Sequence, residues 1–590
     1  MRARLRLIAT RRPTLVAFAA YLAIGFVRYF PVLTHANDRM ALPGGDGDIF
    51  IWAFGWMGHV VTHGVNPLHS NFLNYPQGAN MLCSTMIFAL SLVMLPVTML
   101  WGPVASYNIV LLLAFATSGL ATYLLVLRWT SWRPGAFVAG LVFCWSGYML
   151  AAGQMYLNLC FVAAIPLMFL CLDQLLIRQD RPPIRWGIAL GVLAIVQFFI
   201  STELLADTAE VAAVALLVLA IANRHEAWPR LRAALPGLAT AAAIAVAVLA
   251  YPAWYATSGP LNVQQLRPGA LYSVDAIGPV VPSSAQLVAP ARLREIGDGL
   301  SGGPIVTFGH RYSVTQLGYL SIIGVVAVLA TIVLYRRRGL VRFLAVMGAL
   351  TFIGALGPSL KINDHNTGIP LPAKVIEHLP VLRTTAIERY SLFAFLAAGA
   401  LIAIGLGELR QRTTRVAWLT GPRAAALASV AILVPLVPAP YFTHDLGRPS
   451  YFASSAVNEI PDGSVVLSYP FPSPAHSLPM VWQSDAQFRY RLVGGYIYIP
   501  GNYSGYGVPG ASTTKTVLDG FGKNQAPTLA PNELRRAVAN DIASWNIDTI
   551  IVTLDEPGAS DAERLFTDVL GRPGEHIGGV AVWYRVASSA

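Results

Sequence analysis

Two carboxylates separated by one residue are a candidate site of chemistry. Asp46 and Asp48 lie in the glycine-rich stretch Ala41-Leu-Pro-Gly-Gly-Asp-Gly-Asp48, directly before an apolar, tryptophan-containing run over 49–61. A positioned carboxylate can accept a proton from a hydroxyl group as a general base. Two carboxylates can divide that work between base and orienting group, or bind a divalent cation. The alternative is a solvated turn that caps the following helix.

Arginines that could bind a phosphate group lie just before two apolar runs. Arg383 and Arg389 belong to the segment 379–390, and Arg311 lies in His310-Arg-Tyr312. A guanidinium group stays charged near lipid and binds phosphate through two parallel hydrogen bonds. For Arg389, a contact with Glu388 or a lipid headgroup at the start of a helix is the alternative.

The predicted helix after the aspartates carries two pairs of ring side chains at a spacing of four residues. His59 and His63 have a spacing that permits metal binding, but no third ligand is evident. We therefore expect no metal site, and polar interfacial residues that form part of the wall of the external cavity. Trp52 and Trp56 suit a helix that lies at the level of the lipid headgroups.

A further acidic pair interrupts two short apolar runs. Glu203 and Asp207 are four residues apart in the turn 201–207. One interpretation is a polar hairpin tip at the membrane surface. The other is a wall of the same external cavity that contains the two aspartates, because carboxylates beside a bilayer are costly unless they are solvated or paired.

Composition identifies the class of protein. The chain has 590 residues, of which 55% are hydrophobic and only 12% charged, whereas soluble proteins carry about 25% charged residues. Such a length with so little charge indicates a polytopic membrane protein. From Phe442 onward there are 10 Lys and Arg against 14 Asp and Glu, so the net charge of +11 divides into −4 there and +15 before it. We expect that excess in cytoplasmic loops, and no nucleic-acid partner.

The four cysteines give no structural framework. Three of them fall inside apolar segments, and none has the spacing of metal ligands; they are Cys83, Cys144, Cys160 and Cys171. We therefore expect neither a set of disulfides nor a zinc site from them.

Loop charge predicts the topology. Five arginines before the first apolar run place its start in the cytoplasm, and we expect this first helix to remain uncleaved. If 86–101 is a juxtamembrane or re-entrant helix, every later basic cluster also becomes cytoplasmic. Eleven spans result, at about 14–33, 107–127, 134–151, 157–177, 186–201, 208–222, 234–256, 313–335, 341–357, 390–408 and 422–441.

The residues after these spans have a different pattern. The runs 465–470, 490–499, 549–554 and 579–586 are β-rich, and helices are expected at 532–545 and from the capping box at 560–563. This part contains no Gly-x-Ser-x-Gly, His-Glu-x-x-His or phosphate-loop motif. We predict an all-α polytopic membrane domain over 1–441, with an external loop 34–106 that contains juxtamembrane helices, and a small extracytoplasmic α/β domain over 442–590.

This layout resembles that of the GT-C glycosyltransferases. A first span is followed by an external loop with aspartates, then by many spans and an external α/β tail. Within the group, the chain is similar to actinobacterial multi-spanning proteins in the segments Asn66-Pro-Leu, Asn74-Tyr-Pro-Gln-Gly-Ala-Asn80, Leu95-Pro-Val and Trp101-Gly-Pro. GT-C proteins are integral membrane enzymes that use polyprenyl-phosphate-linked sugars. The resemblance implies that Asp46 or Asp48 is the catalytic base.

The expected function follows from these observations together. We expect an inverting transfer on the extracytoplasmic face, from a polyprenyl-phosphate sugar to an envelope glycan, lipid or protein. Arg389, Arg383 and Arg311 are the candidate phosphate ligands, and a divalent cation is a possible cofactor. A lipid or glycan transporter or flippase is one rival; it would need ionisable residues near the bilayer midplane and paired broken helices. A non-catalytic envelope assembly protein is the other.

Overall fold

The computed structural model describes most of the chain. Backbone is described for residues 2–40, 44–263, 273–300, 305–307, 310–312, 318–376, 386–412, 420–441, 443–501 and 512–586, and side chains for all of these except 2–11 and 305–312. All structural statements below refer to these residues.

Helices make up most of the described chain. In the first half they are α1 (Arg2–Leu33), α2 (Asp46–His63), α3 (Phe88–Val93), α4 (Leu95–Trp101), α5 (Pro103–Thr130), α6 (Arg133–Cys144), α7 (Gly147–Met155), α8 (Leu157–Cys160), α9 (Ala164–Leu172), α10 (Pro183–Phe198), α11 (Thr202–Ala222) and α12 (Arg224–Ser258). In the second half they are α13 (Ala291–Gly299), α14 (Ile322–Tyr335), α15 (Gly339–Ala355), α16 (Ala373–Ile376), α17 (Ser391–Gln411), α18 (Gly421–Leu433), α19 (Ser450–Ala453), α20 (Leu478–Asp485), α21 (Thr513–Phe521), α22 (Pro531–Ser544) and α23 (Ala559–Leu570).

The strands are short. They are β1 (Arg39–Met40), β2 (His69–Ser70), β3 (Ala79–Asn80), β4 (Ile305–Thr307), β5 (His310–Tyr312), β6 (Ser359–Ile362), β7 (His365–Pro370), β8 (His444–Asp445), β9 (Val465–Tyr469), β10 (Arg491–Leu492), β11 (Thr549–Thr553), β12 (Glu575–Ile577) and β13 (Val580–Trp583).

Several helices are long and apolar enough to cross a membrane. In the described residues there are six: Arg12–Leu33, Pro103–Thr130, Leu157–Arg178, Thr202–Ala222, Arg224–Ser258 and Ile387–Gln411. A seventh crossing results if α6 and α7, which meet at an angle of 51°, form one broken span. The chain is therefore a multi-pass membrane protein, because each of these segments has the length and apolar character of a bilayer crossing.

The predicted number of eleven spans is not established by helix length. Four further apolar helices, α10, α14, α15 and the segment Gly421–Leu436, lie where spans are predicted but have only 10 to 17 residues, fewer than the roughly 20 that a straight crossing needs. Residues 86–101 form the two short helices α3 and α4, neither of which has the length of a span.

The chain divides into two compact units that do not follow chain order. Unit 1 contains residues 1–31, 110–250 and 267–442, and unit 2 contains residues 32–109, 251–266 and 443–590. The predicted external loop after the first span therefore belongs to the same unit as the C-terminal residues.

In unit 1, small residues let the long helices approach closely. A Cβ atom at Gly399 in α17 would lie 3.0 Å from the carbonyl oxygen of Ala139 in α6. A Cβ atom at Gly25 in α1 would lie 2.8 Å from Leu112 in α5. Such close contact favours helix association where lipid removes the hydrophobic driving force.

In unit 2, a five-stranded sheet has the strand order β10-β9-β11-β13-β12. The pairs of β9 with β10 and with β11 are parallel, and the pairs of β13 with β11 and with β12 are antiparallel. Apolar side chains of α21, α22 and α23 pack into the core against the sheet. The predicted β-runs at 465–470 and 549–554 coincide with β9 and β11, whereas 490–499 forms a strand only at β10, because Gly494 and Gly495 have φ values of 89° and 154°.

Candidate active site

The two aspartates lie in the first turn of α2. Gly44 and Gly45 precede them with φ values of 96° and 66°, a backbone conformation that favours glycine. The chain can thus turn sharply and start a helix at Asp46. The first turn of a helix favours negative charge, because its free N–H groups carry partial positive charge.

Asp48 is a buried anchor. Its side chain is completely buried. Its Oδ2 atom accepts a hydrogen bond of 2.8 Å from the Ser477 hydroxyl, and its Oδ1 atom accepts one of 3.2 Å from the Gly44 N–H. Ser477 in turn accepts a hydrogen bond of 2.8 Å from the Gly45 N–H. Burial raises the pKa of Asp48 to about 6, although both hydrogen bonds lower it.

Asp46 differs in both position and partner. Its side chain is half-buried and therefore presents surface outside the protein core. Its Oδ1 atom accepts a hydrogen bond of 2.6 Å from the Tyr496 hydroxyl, a distance typical of a strong bond to a charged acceptor. Of the two candidate bases, only Asp46 is both held in place and accessible.

A buried polar contact fixes α2 in unit 2. Gln483 of α20 is completely buried and accepts a hydrogen bond of 2.7 Å from the Trp52 indole N–H. Its amide nitrogen donates to the carbonyl oxygens of Phe72 and Tyr490, both at 2.8 Å. Since every polar atom of this side chain is paired, the contact specifies one position of α2 against α20.

The tryptophans of α2 are not at the protein surface. Trp52 is 0% exposed and Trp56 2% exposed, and their rings stack at 5.3 Å. Both also pack against Phe488. The two rings therefore pack inside the protein and not against lipid, because their spacing alone does not distinguish a helix packed on lipid from one packed on the protein's own aromatic core. The depth of α2 in the membrane stays a prediction.

His59 and His63 stack on each other. Their ring centroids are 4.1 Å apart, and His59 also packs against Phe72 at 4.8 Å. Burial, and then the neighbouring His63, lower the pKa of His59 to about 4, so this ring is neutral at physiological pH. Among the described residues, no three His, Cys, Asp or Glu side chains lie close enough together to hold a metal ion.

In unit 1, the structure brings together residues predicted as two separate sites. Arg389 forms an ion pair with Glu203, and its Nε atom lies 4.0 Å from the carboxylate of Glu388. Asp207 is 2% exposed, and its Oδ2 atom has no hydrogen-bond partner in the described part of the chain. Carboxylates thus outnumber the one arginine in this cluster.

The two other predicted phosphate ligands cannot be placed. Arg383 lies outside the described residues, and Arg311 is described only by its backbone in β5, which pairs with β4. Both stay predictions.

Sequence reasoning missed two residues of the aspartate site. Ser477 binds Asp48 and Tyr496 binds Asp46, from positions more than 400 residues away in the chain. Tyr496 lies in the glycine- and tyrosine-containing segment Gly494-Gly-Tyr-Ile-Tyr498, a composition that could have drawn attention to it, whereas nothing in the sequence distinguishes Ser477 from other serines.

Comparison with known proteins gives structural neighbours only. No protein-family model and no curated protein matches the sequence. Among solved structures, the chain is similar to the arabinofuranosyltransferase AftD from Mycobacteria, with 14% identity over 98% of this chain and 40% of that one, and a TM-score of 0.49. It is also similar to the Archaeoglobus fulgidus oligosaccharyltransferase, with 12% identity over 92% and 70% and a TM-score of 0.47, and to ArnT from Cupriavidus metallidurans, with 13% identity over 99% and 99% and a TM-score of 0.43.

These neighbours are GT-C membrane glycosyltransferases. The resemblance drawn from the sequence thus has its counterpart among solved structures. With identities of 12–14% and TM-scores below 0.5, the matches carry no argument about activity or residue roles. The chain spans about 40% of the length of AftD.

Proposed function

We propose that the chain is a membrane glycosyltransferase that moves a sugar from a polyprenyl-phosphate donor to an extracytoplasmic acceptor of the cell envelope. The observation that carries the proposal is the contrast between the two aspartates. Asp48 is buried and anchors the loop, while Asp46 is accessible and oriented by the Tyr496 hydroxyl at 2.6 Å.

Asp46 is the general base in this proposal. A hydroxyl oxygen of the acceptor attacks the anomeric carbon of the donor sugar, and its proton passes to a carboxylate oxygen of Asp46. The bond between the anomeric carbon and the phosphate oxygen breaks, and polyprenyl phosphate leaves with the electron pair. One such displacement inverts the anomeric centre. A positioned base of this kind contributes about 10²- to 10⁴-fold to the rate.

Arg389 binds the donor phosphate in this proposal. A phosphate oxygen would replace the carboxylate of Glu203 as its ion-pair partner, and Glu203 is 60% exposed and so free to rotate into water. The acidic cluster around Arg389 counts against a tightly bound anion, which suits a donor phosphate that must also leave.

An apolar cavity in unit 1 suits the polyprenyl chain. It has a volume of about 120 Å³ and is lined by apolar side chains of α9, α11, α15 and α17, including Phe169, Val211, Met347 and Phe393. Phe393 is one helical turn beyond Arg389, so a lipid with its phosphate at Arg389 could place its chain along these helices. The lining belongs to membrane-spanning segments, where the available ligands are lipids.

The proposed topology has eleven crossings, with the N-terminus in the cytoplasm and the residues after 442 on the extracytoplasmic side. It is supported by the basic loops, which all become cytoplasmic in this arrangement, and by an apolar helix at every predicted span.

The test is donor turnover by the purified full chain in nanodiscs. The substrates are a panel of polyprenyl-phosphate pentoses and hexoses with an envelope glycan extract as acceptor, and the product measured is released polyprenyl phosphate. Asp46→Asn should lower the rate at least 100-fold, and the matched variant Asp48→Asn should keep at least a tenth of it. Wild-type rates in Asp46→Asn would refute the assignment of the base. An unchanged glycan in cells without the protein, with no turnover of any donor, would favour a transporter or an assembly protein.

A further inference from the structure

Arg28 is a charged residue in the first membrane-spanning helix that the proposed reaction does not use. It lies in α1, five residues before the helix ends at Leu33, which corresponds to about 7.5 Å along the axis at 1.5 Å per residue. A glycine three residues earlier, Gly25, allows α1 to pack closely on Leu112 of α5. The guanidinium group is thus held against the helices of unit 1.

Aromatic rings surround this guanidinium group. Its central carbon lies 5.0 Å from the ring centroid of Phe115, 5.4 Å from that of Tyr29 and 5.5 Å from that of Tyr441. The rings also pack on each other, with Tyr29 and Tyr441 edge to face at 4.6 Å. Within about 6 Å, each ring attracts the cation.

The rings do not satisfy the hydrogen-bond donors of Arg28. The N–H bonds of a guanidinium group lie in its plane and need acceptors there. In the described part of the chain, the buried Nε and Nη1 atoms of Arg28 have no hydrogen-bond partner. An arginine without such partners is costly in a membrane-spanning helix, so a ligand that supplies an acceptor to these donors would stabilise the group.

A cavity lies beside the group. It has a volume of about 30 Å³ and is lined by residues of α1, α5 and α6, including Tyr21, Leu141 and Cys144. Tyr21 donates its hydroxyl hydrogen to the carbonyl oxygen of Phe137 at 2.8 Å, and Cys144 donates to that of Phe115 at 3.1 Å. The Tyr21 hydroxyl and the Cys144 thiol therefore already donate to backbone carbonyl groups, and the charged side chain in the lining is that of Arg28.

We propose that Arg28 binds the phosphate group of a lipid that enters from the Leu33 end of α1. Phosphate is the anion that a bilayer supplies, and it fits the paired donors of a guanidinium group. The long arginine side chain can extend toward the headgroup level from this depth. The phosphate could belong to a bilayer phospholipid or to a polyprenyl phosphate. This site is separate from the one assigned to Arg389 and does not depend on the proposed transfer reaction.

The experiment measures lipid binding to the full chain. Native mass spectrometry of the detergent-purified protein would follow the titration of a polyprenyl monophosphate and of phosphatidylglycerol, with the matching polyprenol and diacylglycerol as phosphate-free probes. We expect Arg28→Met to weaken binding of the phosphate lipids at least 10-fold. Arg12→Met, at the opposite end of the same span, should change it less than 2-fold.

The source of the phosphate is decided by competition. A polyprenyl phosphate that displaces phosphatidylglycerol at one-tenth of its concentration identifies a polyprenyl lipid as the ligand, and equal displacement identifies the phospholipid headgroup. If Arg28→Met does not fold, thermal stabilisation of an Arg389→Met variant still tests the site, because a phosphate lipid bound at Arg28 must raise the Tm of that variant more than its phosphate-free counterpart does. Equal binding by wild type and Arg28→Met, or equal stabilisation by both kinds of lipid, overturns the proposal.

Discussion

Replacement of the buried aspartate by asparagine should change the pH dependence of stability. Asp48→Asn keeps the size and most contacts of the side chain. The asparagine oxygen can accept from the Gly44 N–H, and its amide can donate to the Ser477 oxygen, which has a second lone pair for the Gly45 N–H. The variant therefore removes the titrating group of α2 that is completely buried without opening a cavity.

The magnitude follows from the pKa of Asp48. This pKa is about 6 in the folded protein and 3.8 for a free aspartate, with burial as the main cause. Between these pH values the folded protein keeps a proton that the unfolded chain has lost, so stability falls as pH rises from 3.8 through about 6. Above that window the ionised group lowers the free energy of unfolding by about 3 kcal/mol. Asparagine carries no such cost at any pH.

The assay compares the Tm of wild type and Asp48→Asn in detergent at pH 4 and pH 7.5. Relative to wild type, the free energy of unfolding of the variant should rise by about 2.5 kcal/mol between the two pH values, which for 590 residues corresponds to a shift in Tm of about 2 °C. The comparison cancels the titration of all other groups. A Tm difference between the two proteins that is the same at both pH values, or that favours wild type at pH 7.5, would contradict the environment assigned to Asp48.

Three further substitutions test the packing of α2 and the cluster around Arg389. Gln483→Leu should lower the free energy of unfolding by about 3 kcal/mol or more, because Trp52, Phe72 and Tyr490 each lose a buried hydrogen-bond partner. The control Gln525→Leu, at an exposed position, should stay within about 0.5 kcal/mol of wild type in the same denaturation assay. Gly55→Ala should destabilise by about 1–3 kcal/mol, because its Cβ atom would lie 2.0 Å from the Ser484 hydroxyl oxygen. Gly58→Ala, whose Cβ atom would be 3.5 Å from Met99, should be neutral, and equal Tm values for the two alanine variants would refute the close approach. Glu203→Gln should lower the KM for the donor, because the substitution releases Arg389 to bind the donor phosphate. The control Glu226→Gln removes an exposed ion pair with Arg230 and should leave the KM unchanged. A raised KM in Glu203→Gln would show that the carboxylate itself helps to bind the donor.

The sequence was informative where one physical force dominates. The length and hydrophobicity of the apolar runs identified the membrane segments, since a bilayer requires a long apolar stretch at every crossing. The strands β9 and β11 could be predicted because each is buried along its whole length and is therefore a nearly continuous apolar run. The burial of Trp52 inside the protein could not be predicted from the sequence, because lipid and an aromatic protein core favour the same side chains. The ion pair of Arg389 with Glu203 joins residues 186 positions apart, and local spacing carries no information about such a contact.

The geometry of a helix explains why the two aspartates have different environments. In an α-helix with 3.6 residues per turn, side chains two positions apart point about 200° away from each other. Asp46 and Asp48 both belong to the first turn of α2, so when one faces the protein interior the other faces away from it. The interior already contains Ser477 and the N–H groups of Gly44 and Gly45, which bind Asp48. A pair that diverges in this way is poorly suited to hold one divalent cation between its carboxylates. It is well suited to the arrangement found here, in which the Asp48 carboxylate fixes the turn and the Asp46 carboxylate remains partly accessible.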